Sequence, residues 1–362
     1  MNLKNKKYPS RPPRRVEADK ILLTGGGTGG SVSPLLATAE ELKICGNFEF
    51  LWLGTKFGPE REMVERAGIK FMAISGGKLR RYFSFKNFFD IFKIKIAFWQ
   101  ALFIMLKSRP DLAMSAGSFV SVPAIWAAWI LRVPILIHQQ DVAAGLANKL
   151  MAPFAKAVTV VFESSLKDYG KKAVWIGNPV RRSLKTQSIN KDFPAVLILG
   201  GGTGSAAINK LVENSISELA KFCRVAHITG KNKGGNTEVK SGNYERYEFL
   251  GVEKMAEIMN AADLVITRAG IGMLSELSYL GKPCVIIPMP NSHQEENAEF
   301  FKNKNAAIVL EQKNLTPENF AALIKDLLAD KEALAGLSAN MAGAMKKGAN
   351  QSMAKIIKNL LK

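Results

Sequence analysis

Two glycine-rich segments of nearly identical sequence are the first candidates for chemistry. The string GGGTGG occupies positions 25–30 after the apolar run KILLT, and GGGTGS occupies positions 200–205 after AVLIL. Glycine lets backbone N–H groups approach a phosphate closely, and a following helix adds a positive N-terminus. Neither segment matches GxxxxGK[ST], and no acidic residue ends the second apolar run, FEFLWLGT. The pair predicts two phosphate sites and disfavours Walker-type hydrolases and NAD-dependent Rossmann enzymes.

The elements that position these segments repeat in the same order around each of them. Short runs rich in Val, Ile and Leu alternate with helical stretches, which is typical of parallel sheets covered on both faces. We therefore predict an α/β protein of two Rossmann-like, doubly wound domains facing a cleft. The predicted boundaries are 1–17 for a basic flexible arm, 18–180 for the first domain, 181–194 for a linker, 195–345 for the second domain, and 346–362 for a C-terminal helix that packs back on the first.

Composition is typical of a globular chain with two cores. The 362 residues are 47% apolar and 22% charged. The N-terminus lacks the apolar segment of a signal peptide, and the longest apolar stretch, 119–131, is short for a bilayer span. We interpret that stretch as a strand end, a turn and a buried helix. The three cysteines predict buried free thiols, and their spacing fits no metal site.

The net charge restricts the class of partner. Lys and Arg number 50 against 31 Asp and Glu, which gives a formal charge of +19. Positions 78–109 carry eight basic residues and one acid, and the tail 342–362 carries five lysines and no acid. Such segments attract nucleic acid or an anionic membrane surface. A nucleic-acid-binding protein would explain the charge but not the paired glycine segments.

Six motifs, in this order, resemble those of the MurG family of peripheral-membrane glycosyltransferases. They are GGGTGGSVSPLLATAEEL, HQQDVAAGLANKLMAPFA, IGNPVRR, LILGGGTGSAAIN, ADLVITRAGIGMLSEL and HQEENAEFF. The resemblance implies a GT-B fold and inverting transfer of N-acetylglucosamine (GlcNAc) from UDP-GlcNAc. The implied acceptor is the C4 hydroxyl of the muramoyl-pentapeptide sugar of lipid I, an undecaprenyl diphosphate. The product would be lipid II, a peptidoglycan precursor, made at the cytoplasmic face of the bacterial membrane beside other cell-wall synthesis proteins.

The same resemblance implies that the second domain binds the donor. Glu276 would accept the ribose hydroxyls, Arg268 would face the diphosphate, and the backbone near Leu250 would read the uracil edge. Gln294 and Asn297 lie three positions apart on one helix face and would bind the GlcNAc hydroxyls. The implied donor set is Gly202, Thr203, Leu250, Val252, Arg268, Ala269, Gly270, Gly272, Met273, Glu276, His293, Gln294 and Asn297.

The first glycine segment would, by the resemblance, bind the diphosphate of the lipid acceptor. The implied acceptor set is Thr28, Gly29, Gly30, Ser31, Asp141 and Arg181. This chain departs from the family pattern here. The family usually has His where Ser31 stands and His-Glu-Gln-Asn at positions 138–141, which read His-Gln-Gln-Asp in this chain. In the second glycine segment, Gly202 and Thr203 replace a Ser-Gln pair.

These departures affect the group that accepts the proton of the attacking hydroxyl. Serine alone is a poor base, so among the candidate catalytic residues Ser31, His138 and Asp141 we favour Asp141, acting alone or with His138. The alternative is that Asp141 only hydrogen-bonds the acceptor sugar. No acidic pair of the DxD type stands at the donor motifs, so helix N-termini, glycine amides and Arg268 would neutralise the leaving UDP. No cofactor or obligatory metal is expected.

Aromatic and basic residues interleave in the segment that begins near position 78. This composition predicts an interfacial helix on anionic lipid. We expect contacts from Arg80, Arg81, Phe83, Phe88, Phe89 and Phe92. We interpret the continuation, Ile96 to Met105, as an ordinary core helix, and the basic tail as a further contribution to membrane binding.

Three alternatives to the leading function stay open on sequence grounds. One is a different GT-B transferase, for example one that glycosylates a diacylglycerol. Another is a UDP-sugar epimerase. The third is a catalytically weak lipid I-binding protein, which only the altered residues at positions 31, 139 and 141 favour.

Overall fold

The computed structural model describes residues 18–27, 29–77, 85–182, 184, 193–233 and 242–362. Within that part of the chain, strands and helices alternate through two parallel α/β sheets. The predicted arm, most of the predicted linker, and Thr28, Arg80, Arg81 and Phe83 lie outside the described residues.

The N-terminal sheet has seven parallel strands in the order β3-β2-β1-β4-β5-β6-β7. Its strands are β1 (Asp19–Thr24), β2 (Phe48–Thr55), β3 (Lys70–Ile74), β4 (Leu112–Ser115), β5 (Ile135–Gln139), β6 (Ala157–Val160) and β7 (Ala173–Trp175). Its helices are α1 (Ser33–Cys45), α2 (Glu60–Arg66), α3 (Phe85–Ser108), α4 (Ser121–Ile130), α5 (Leu146–Met151) and α6 (Leu166–Tyr169).

The C-terminal sheet has six parallel strands in the equivalent order, β10-β9-β8-β11-β12-β13. Its strands are β8 (Ala195–Leu199), β9 (Arg224–Ile228), β10 (Tyr244–Tyr247), β11 (Leu264–Thr267), β12 (Cys284–Ile286) and β13 (Ile308–Val309). The helices that follow β8 are α7 (Ala206–Leu219), α8 (Val252–Ala261), α9 (Ile271–Leu280), α10 (Gln294–Asn303), α11 (Pro317–Ala329), α12 (Lys331–Ala344) and α13 (Ala349–Leu361).

Each sheet is buried because successive strand residues face opposite helix layers. In β1, Leu22 packs in the cluster that contains α3 and α4, whereas Ile21 and Leu23 pack in the cluster that contains α1 and α13. The helix α3 and the C-terminal helix therefore cover opposite faces of the N-terminal sheet. In both sheets the strand order reverses beside the first strand, and parallel α/β sheets bind ligands outside the carboxyl ends of the strands at that point.

The C-terminal helix lies against the first domain. Met353, Ala354 and Ile357 of α13 share a buried cluster with α1 and with strands of the N-terminal sheet. The side chain of Asn350 bonds both backbone groups of Val180, accepting from its N–H at 3.0 Å and donating to its carbonyl at 2.9 Å. These hydrogen bonds hold α13 against the segment that connects the two sheets.

The structure corrects several details of the sequence interpretation. The stretch 119–131 contains no strand; it forms a turn and α4, whose last residues Trp129 and Ile130 are half exposed. Cys45 is exposed, whereas Cys223 and Cys284 are buried as expected. The short strands β7 and β13 were not predicted, because two or three residues carry too little periodicity to reveal a strand.

Candidate functional site

The first glycine segment forms a loop between β1 and α1. Gly27 has φ +81°, a backbone conformation that favours glycine. A Cβ on Gly26 would lie 2.2 Å from a carboxylate oxygen of the buried Glu60, which accepts the N–H of Gly27 at 3.1 Å. The side-chain oxygen of Ser31 is buried without a hydrogen-bond partner. The helix α1 then begins with no side-chain cap. Ser33 already donates its N–H to the carbonyl of Gly29 at 3.1 Å, and Pro34 has no N–H, so an anion would be attracted here mainly by the positive end of the helix dipole.

The second glycine segment forms the equivalent loop between β8 and α7. Gly204 has φ +71°, and a Cβ there would lie 1.9 Å from the carbonyl oxygen of Thr229 and 2.8 Å from the Cα of Gly230. Ser205 caps α7 by accepting the N–H of Ile208. Gly204 is therefore required by the close approach of two backbone segments, while Gly202 and Thr203 remain exposed at the surface of the cleft.

We expect Gly204→Ala to lower the free energy of unfolding by at least about 2 kcal/mol, because both the positive φ and the contact with Thr229 must be relieved. Thermal unfolding measures this loss. The matched control is Gly336→Ala in α12, where a Cβ meets nothing within 4 Å, and which should stabilise the chain by about 0.5–1 kcal/mol. Equal stability of the two variants would contradict the account.

The two domains bring two uncapped helix N-termini together. The helix α9 follows Gly270 with no side-chain cap, as α1 does in the first domain. A Cβ built on Gly272 would lie 4.0 Å from the Cβ of Ser33, and one built on Gly202 would lie 3.7 Å from the Cα of Gly29. The cleft therefore has two positive helix ends and two glycine loops facing each other.

Arg268 does not face an open site. Its guanidinium donates to the carbonyl oxygens of Ile287 and Pro288 at 2.9 and 2.8 Å, and to the side chains of Ser205 and Gln312 at 2.8 and 2.6 Å. Burial lowers the pKa of this arginine. The expectation that Arg268 neutralises the diphosphate is corrected, because its Nη donors already hold the second glycine loop to the end of β12.

Glu276 is buried and paired with Arg181. The guanidinium donates from Nε and Nη2 to the two carboxylate oxygens, each at 2.8 Å. Burial raises the pKa of Glu276, and the nearby guanidinium opposes that shift. Arg181 was expected at the acceptor diphosphate, but the structure directs its side chain to Glu276 instead. A carboxylate has about four lone-pair positions, so Glu276 retains acceptor capacity beside this pair.

Asp141 lies where the first domain contacts α10 of the second. Its Oδ1 accepts from Nδ2 of Asn297 at 2.9 Å, and Nε2 of His293 lies 4.0 Å from the same oxygen. Asn297 is fully buried and also accepts the N–H of Val142 at 3.0 Å. The structure thus brings together three residues that the sequence assigned to two substrates, and Asp141 keeps 34% of its side chain exposed.

His138 has no free ring nitrogen. It is fully buried, with Nδ1 2.9 Å from the Thr159 hydroxyl and Nε2 2.9 Å from Oδ1 of Asn178. Asn178 in turn donates to Ser275 of the second domain at 2.9 Å. Burial lowers the pKa of His138 to about 4. The expectation that His138 shares the proton transfer is corrected, since the ring is inaccessible and links β5 to the segment between the sheets.

The two buried histidines should make stability fall in acid. Burial lowers the pKa of His138 and of His227 to about 4, below the value of 6.5 for an exposed histidine. The unfolded chain therefore binds more protons between these values, and stability is lost as pH falls from 6.5 towards 4. We expect a loss on the order of 1–2 kcal/mol per histidine between pH 6.5 and 5, measured by urea unfolding. His227→Gln should reduce this slope; a slope equal to that of the unchanged protein would contradict the assignment.

The remaining predicted donor residues belong to the second domain. Ala269 is buried, whereas Leu250 and Met273 are partly buried and pack against the core beneath α8 and α9. Val252 is 48% exposed at the start of α8. Gln294 begins α10 and accepts the N–H of Met289 at 3.0 Å.

Sequence reasoning missed a contact across the mouth of the cleft. Lys231 of the second domain bonds Glu62 of α2 at 2.6 Å, and Arg66 bonds the other oxygen of that carboxylate at 2.6 Å. Both cations lie over the ring of Phe249, at 5.3 and 5.6 Å from its centroid. No motif marks this cluster, because its members come from three separate loops and helices.

One face of α3 is apolar and exposed, which corrects the interpretation of 96–105 as a core helix. Ala97, Ala101 and Met105 are buried as expected. The opposite face, here called the α3 stripe, consists of Phe92, Ile96, Trp99, Phe103 and Leu106, which are 50–72% exposed. Phe88 and Phe89 also belong to α3. Contiguous exposed apolar side chains of this kind mark contacts with membranes or proteins.

The described residues contain neither a membrane-spanning helix nor a cluster of metal ligands. None of the helices within the described ranges is both long and apolar enough to cross a bilayer. Among the same residues, no three His, Cys, Asp or Glu side chains are grouped so that they could hold a metal ion.

Comparison with known proteins gives two family matches and several close relatives. Residues 21–160 match the glycosyltransferase family 28 N-terminal domain, and residues 195–360 match the family 28 C-terminal domain. A Clostridium kluyveri protein named UDP-N-acetylglucosamine--N-acetylmuramyl-(pentapeptide) pyrophosphoryl-undecaprenol N-acetylglucosamine transferase is 41% identical, over 85% of this chain and 91% of its own length.

Solved structures share the fold. The crystal structure of Acinetobacter baumannii MurG is 25% identical with a TM-score of 0.70, covering 94% of this chain and 99% of that one. A UDP-GlcNAc 2-epimerase from Neisseria meningitidis, solved with UDP-GlcNAc bound, has a TM-score of 0.69 at 14% identity and covers 94% and 99% of the two chains. The second likeness shows a shared GT-B architecture and nothing further.

Proposed function

The chain belongs to the MurG branch of glycosyltransferase family 28, and from this premise we propose how its cleft makes lipid II. The chain is a UDP-GlcNAc-dependent N-acetylglucosaminyltransferase that transfers GlcNAc to lipid I. The arrangement that best supports the proposal is the convergence of α1 and α9, whose uncapped N-termini face each other across the cleft. Both substrates are diphosphates, and each helix end fits one of them.

The donor binds to the second domain. The free N–H groups at the start of α9 and the exposed part of the second glycine loop take the UDP diphosphate, while Arg268 holds that loop in shape. Glu276 accepts the ribose hydroxyls through lone pairs that Arg181 does not use. Gln294 and His293, at the start of α10, contact the GlcNAc hydroxyls. The expected sugar contact of Asn297 is corrected, because its side chain is fully buried and its Nδ2 already donates to Asp141 and to the carbonyl of Ala269.

The acceptor binds to the first domain, with its diphosphate at the loop before α1. Its C4 hydroxyl oxygen attacks the anomeric carbon of GlcNAc from the face opposite UDP. The carbon–oxygen bond to UDP breaks, UDP leaves with the electron pair, and configuration inverts. Asp141 takes the hydroxyl proton, because its carboxylate is 34% exposed beside the donor residues of α10, while His138 is buried with both nitrogens engaged.

The enzyme approaches the membrane through the α3 stripe, as a peripheral protein at the cytoplasmic face. Apolar side chains of the stripe enter the interface, while Lys93, Lys95 and Lys107 of the same helix face anionic headgroups. Trp129 and Ile130, exposed at the end of the neighbouring α4, extend the apolar surface. The basic tail includes α13, which covers the face of the N-terminal sheet opposite to α3. The tail therefore does not take part in the membrane contact of the α3 stripe.

Release of UDP tests both the reaction and its independence from metal. We expect UDP to be released from UDP-GlcNAc only when a lipid I analogue is present, at a rate that EDTA changes by less than about two-fold, since helix ends and amides replace the metal. A continuous UDP assay with and without EDTA measures this. UDP release without acceptor, or restoration of a lost activity by Mg²⁺, would contradict the proposal.

A further inference from the structure

The turn between β5 and α5 is held by the side chain of Gln139. This residue ends β5 and is buried. Its Nε2 donates to the carbonyl oxygens of Asp141 at 2.8 Å and of Ala143 at 3.0 Å. Both carbonyls lie in a turn outside the strands and helices, where side chains must supply the hydrogen bonds. The two bonds therefore fix the path of the backbone that carries Asp141.

The acceptor end of the same amide is also fixed. Oε1 of Gln139 accepts from Nδ2 of Asn148 at 2.6 Å and from the hydroxyl of Tyr169 at 2.9 Å. Two donated and two accepted bonds use the whole capacity of a side-chain amide. A glutamate would keep the size and the acceptor end, but it would place an oxygen, instead of an N–H donor, against both carbonyls.

The turn that Gln139 holds is one of the places where α10 contacts the first domain. Asn297 donates to the side chain of Asp141 and accepts the N–H of Val142, so one residue binds two consecutive positions of the turn. Ser165 adds a bond to the carbonyl of Val142 at 3.1 Å. A shift of the turn would therefore move the Asp141 carboxylate relative to the donor residues on α10.

We propose that Gln139 is a positioning residue for the transfer, which acts by holding the Asp141 carboxylate at the attacking hydroxyl. The proposal rests on the proposed function, in which Asp141 accepts the proton. A base displaced by about 1 Å loses up to about 10²-fold in rate. Gln139 is buried and its amide is fully hydrogen-bonded within the protein, so its contribution should disappear when the Asp141 carboxylate is absent.

A double-mutant cycle tests this dependence in the full-length protein. Gln139→Glu alone should lower kcat roughly 10- to 100-fold with the KM for UDP-GlcNAc nearly unchanged. In an Asp141→Asn background the same change should cost less than about 3-fold. Losses that multiply in the double variant, or a normal kcat in Gln139→Glu, would overturn the proposal while leaving Asp141 as the base. A normal kcat in Asp141→Asn would remove the base assignment and the proposal together.

Tyr169→Phe provides a second cycle in case the buried glutamate unfolds the chain, which loss of UDP-GlcNAc binding would reveal. This change removes one bond to Oε1 and leaves both donors of Gln139 intact. We expect a smaller loss in kcat, about 3-fold, that is absent in the Asp141→Asn background. A loss of the same size in both backgrounds would show that Tyr169 and Gln139 act only on stability, and would overturn the proposal.

Discussion

Replacing Asp141 with asparagine is expected to lower kcat for GlcNAc transfer by about 10²–10³-fold, the usual contribution of a positioned general base. Asparagine has nearly the same shape, and its Oδ1 can still accept the bond from Asn297. Binding of the donor should therefore persist, with the KM for UDP-GlcNAc changing less than about two-fold. Steady-state kinetics with a soluble lipid I analogue measure both constants.

The matched control for this substitution is Asp330→Asn. Asp330 caps α12 by accepting the N–H of Ala333 at 2.9 Å, far along the chain from the cleft residues. Asparagine is an equally good cap, so turnover and stability should be unchanged. If Asp141→Asn retained normal turnover, the alternative that Asp141 only hydrogen-bonds the acceptor sugar would be favoured.

Removing apolar side chains from the α3 stripe is expected to weaken binding to anionic vesicles strongly. Trp99 and Phe103 are 65% and 72% exposed, so their replacement by serine costs little in the folded chain. Burying each of these side chains in the interface contributes roughly 1.5–3 kcal/mol to the binding free energy. The double variant should therefore bind at least about 100-fold more weakly. Sedimentation with phosphatidylglycerol vesicles measures the change.

A matched pair of isoleucines serves as the control. Ile96 of the stripe and Ile44 of α1 are 52% and 60% exposed, but α1 and α3 cover opposite faces of the sheet. Ile96→Ser should weaken vesicle binding, and Ile44→Ser should leave it unchanged. Equal effects would indicate that the membrane contact lies elsewhere, and kcat with a soluble acceptor should stay normal in all these variants.

The architecture of two doubly wound domains was predictable because both domains repeat one local pattern, and the family resemblance added the GT-B assignment. The prediction depended on features of neighbouring residues. These are continuous apolar strands, a glycine loop after the first strand of each domain, and the restart of the strand–loop–helix pattern near position 195. The structure has the predicted doubly wound sheets in equivalent strand orders. The family relationship, predicted from six motifs, is confirmed by the matches to both domains.

The side-chain network of the site was less predictable because it depends on distant segments. Arg268 looks like a phosphate ligand from its position after β11, but its partners include Gln312 and the end of β12. His138 looks like a base within its motif, yet its nitrogens meet Thr159 and Asn178. Neither set of hydrogen bonds can be inferred from the residues adjacent in sequence.

The α3 stripe illustrates a signal that was present but ambiguous. Positions 92, 96, 99, 103 and 106 recur at helical spacing, as do the buried positions 97, 101 and 105 on another face. A helix that is apolar on two faces is expected to be buried on both. Only the structure shows that, among the described residues, no second layer covers the α3 stripe.

Transfer of labelled GlcNAc from UDP-GlcNAc to a short-chain lipid I analogue tests the central claim most directly. We expect one β-linked GlcNAc on the C4 oxygen of the muramoyl sugar for each UDP released, with EDTA present. Binding of UDP-GlcNAc without any glycosylated lipid, or conversion of UDP-GlcNAc into another UDP-sugar in the absence of acceptor, would contradict it.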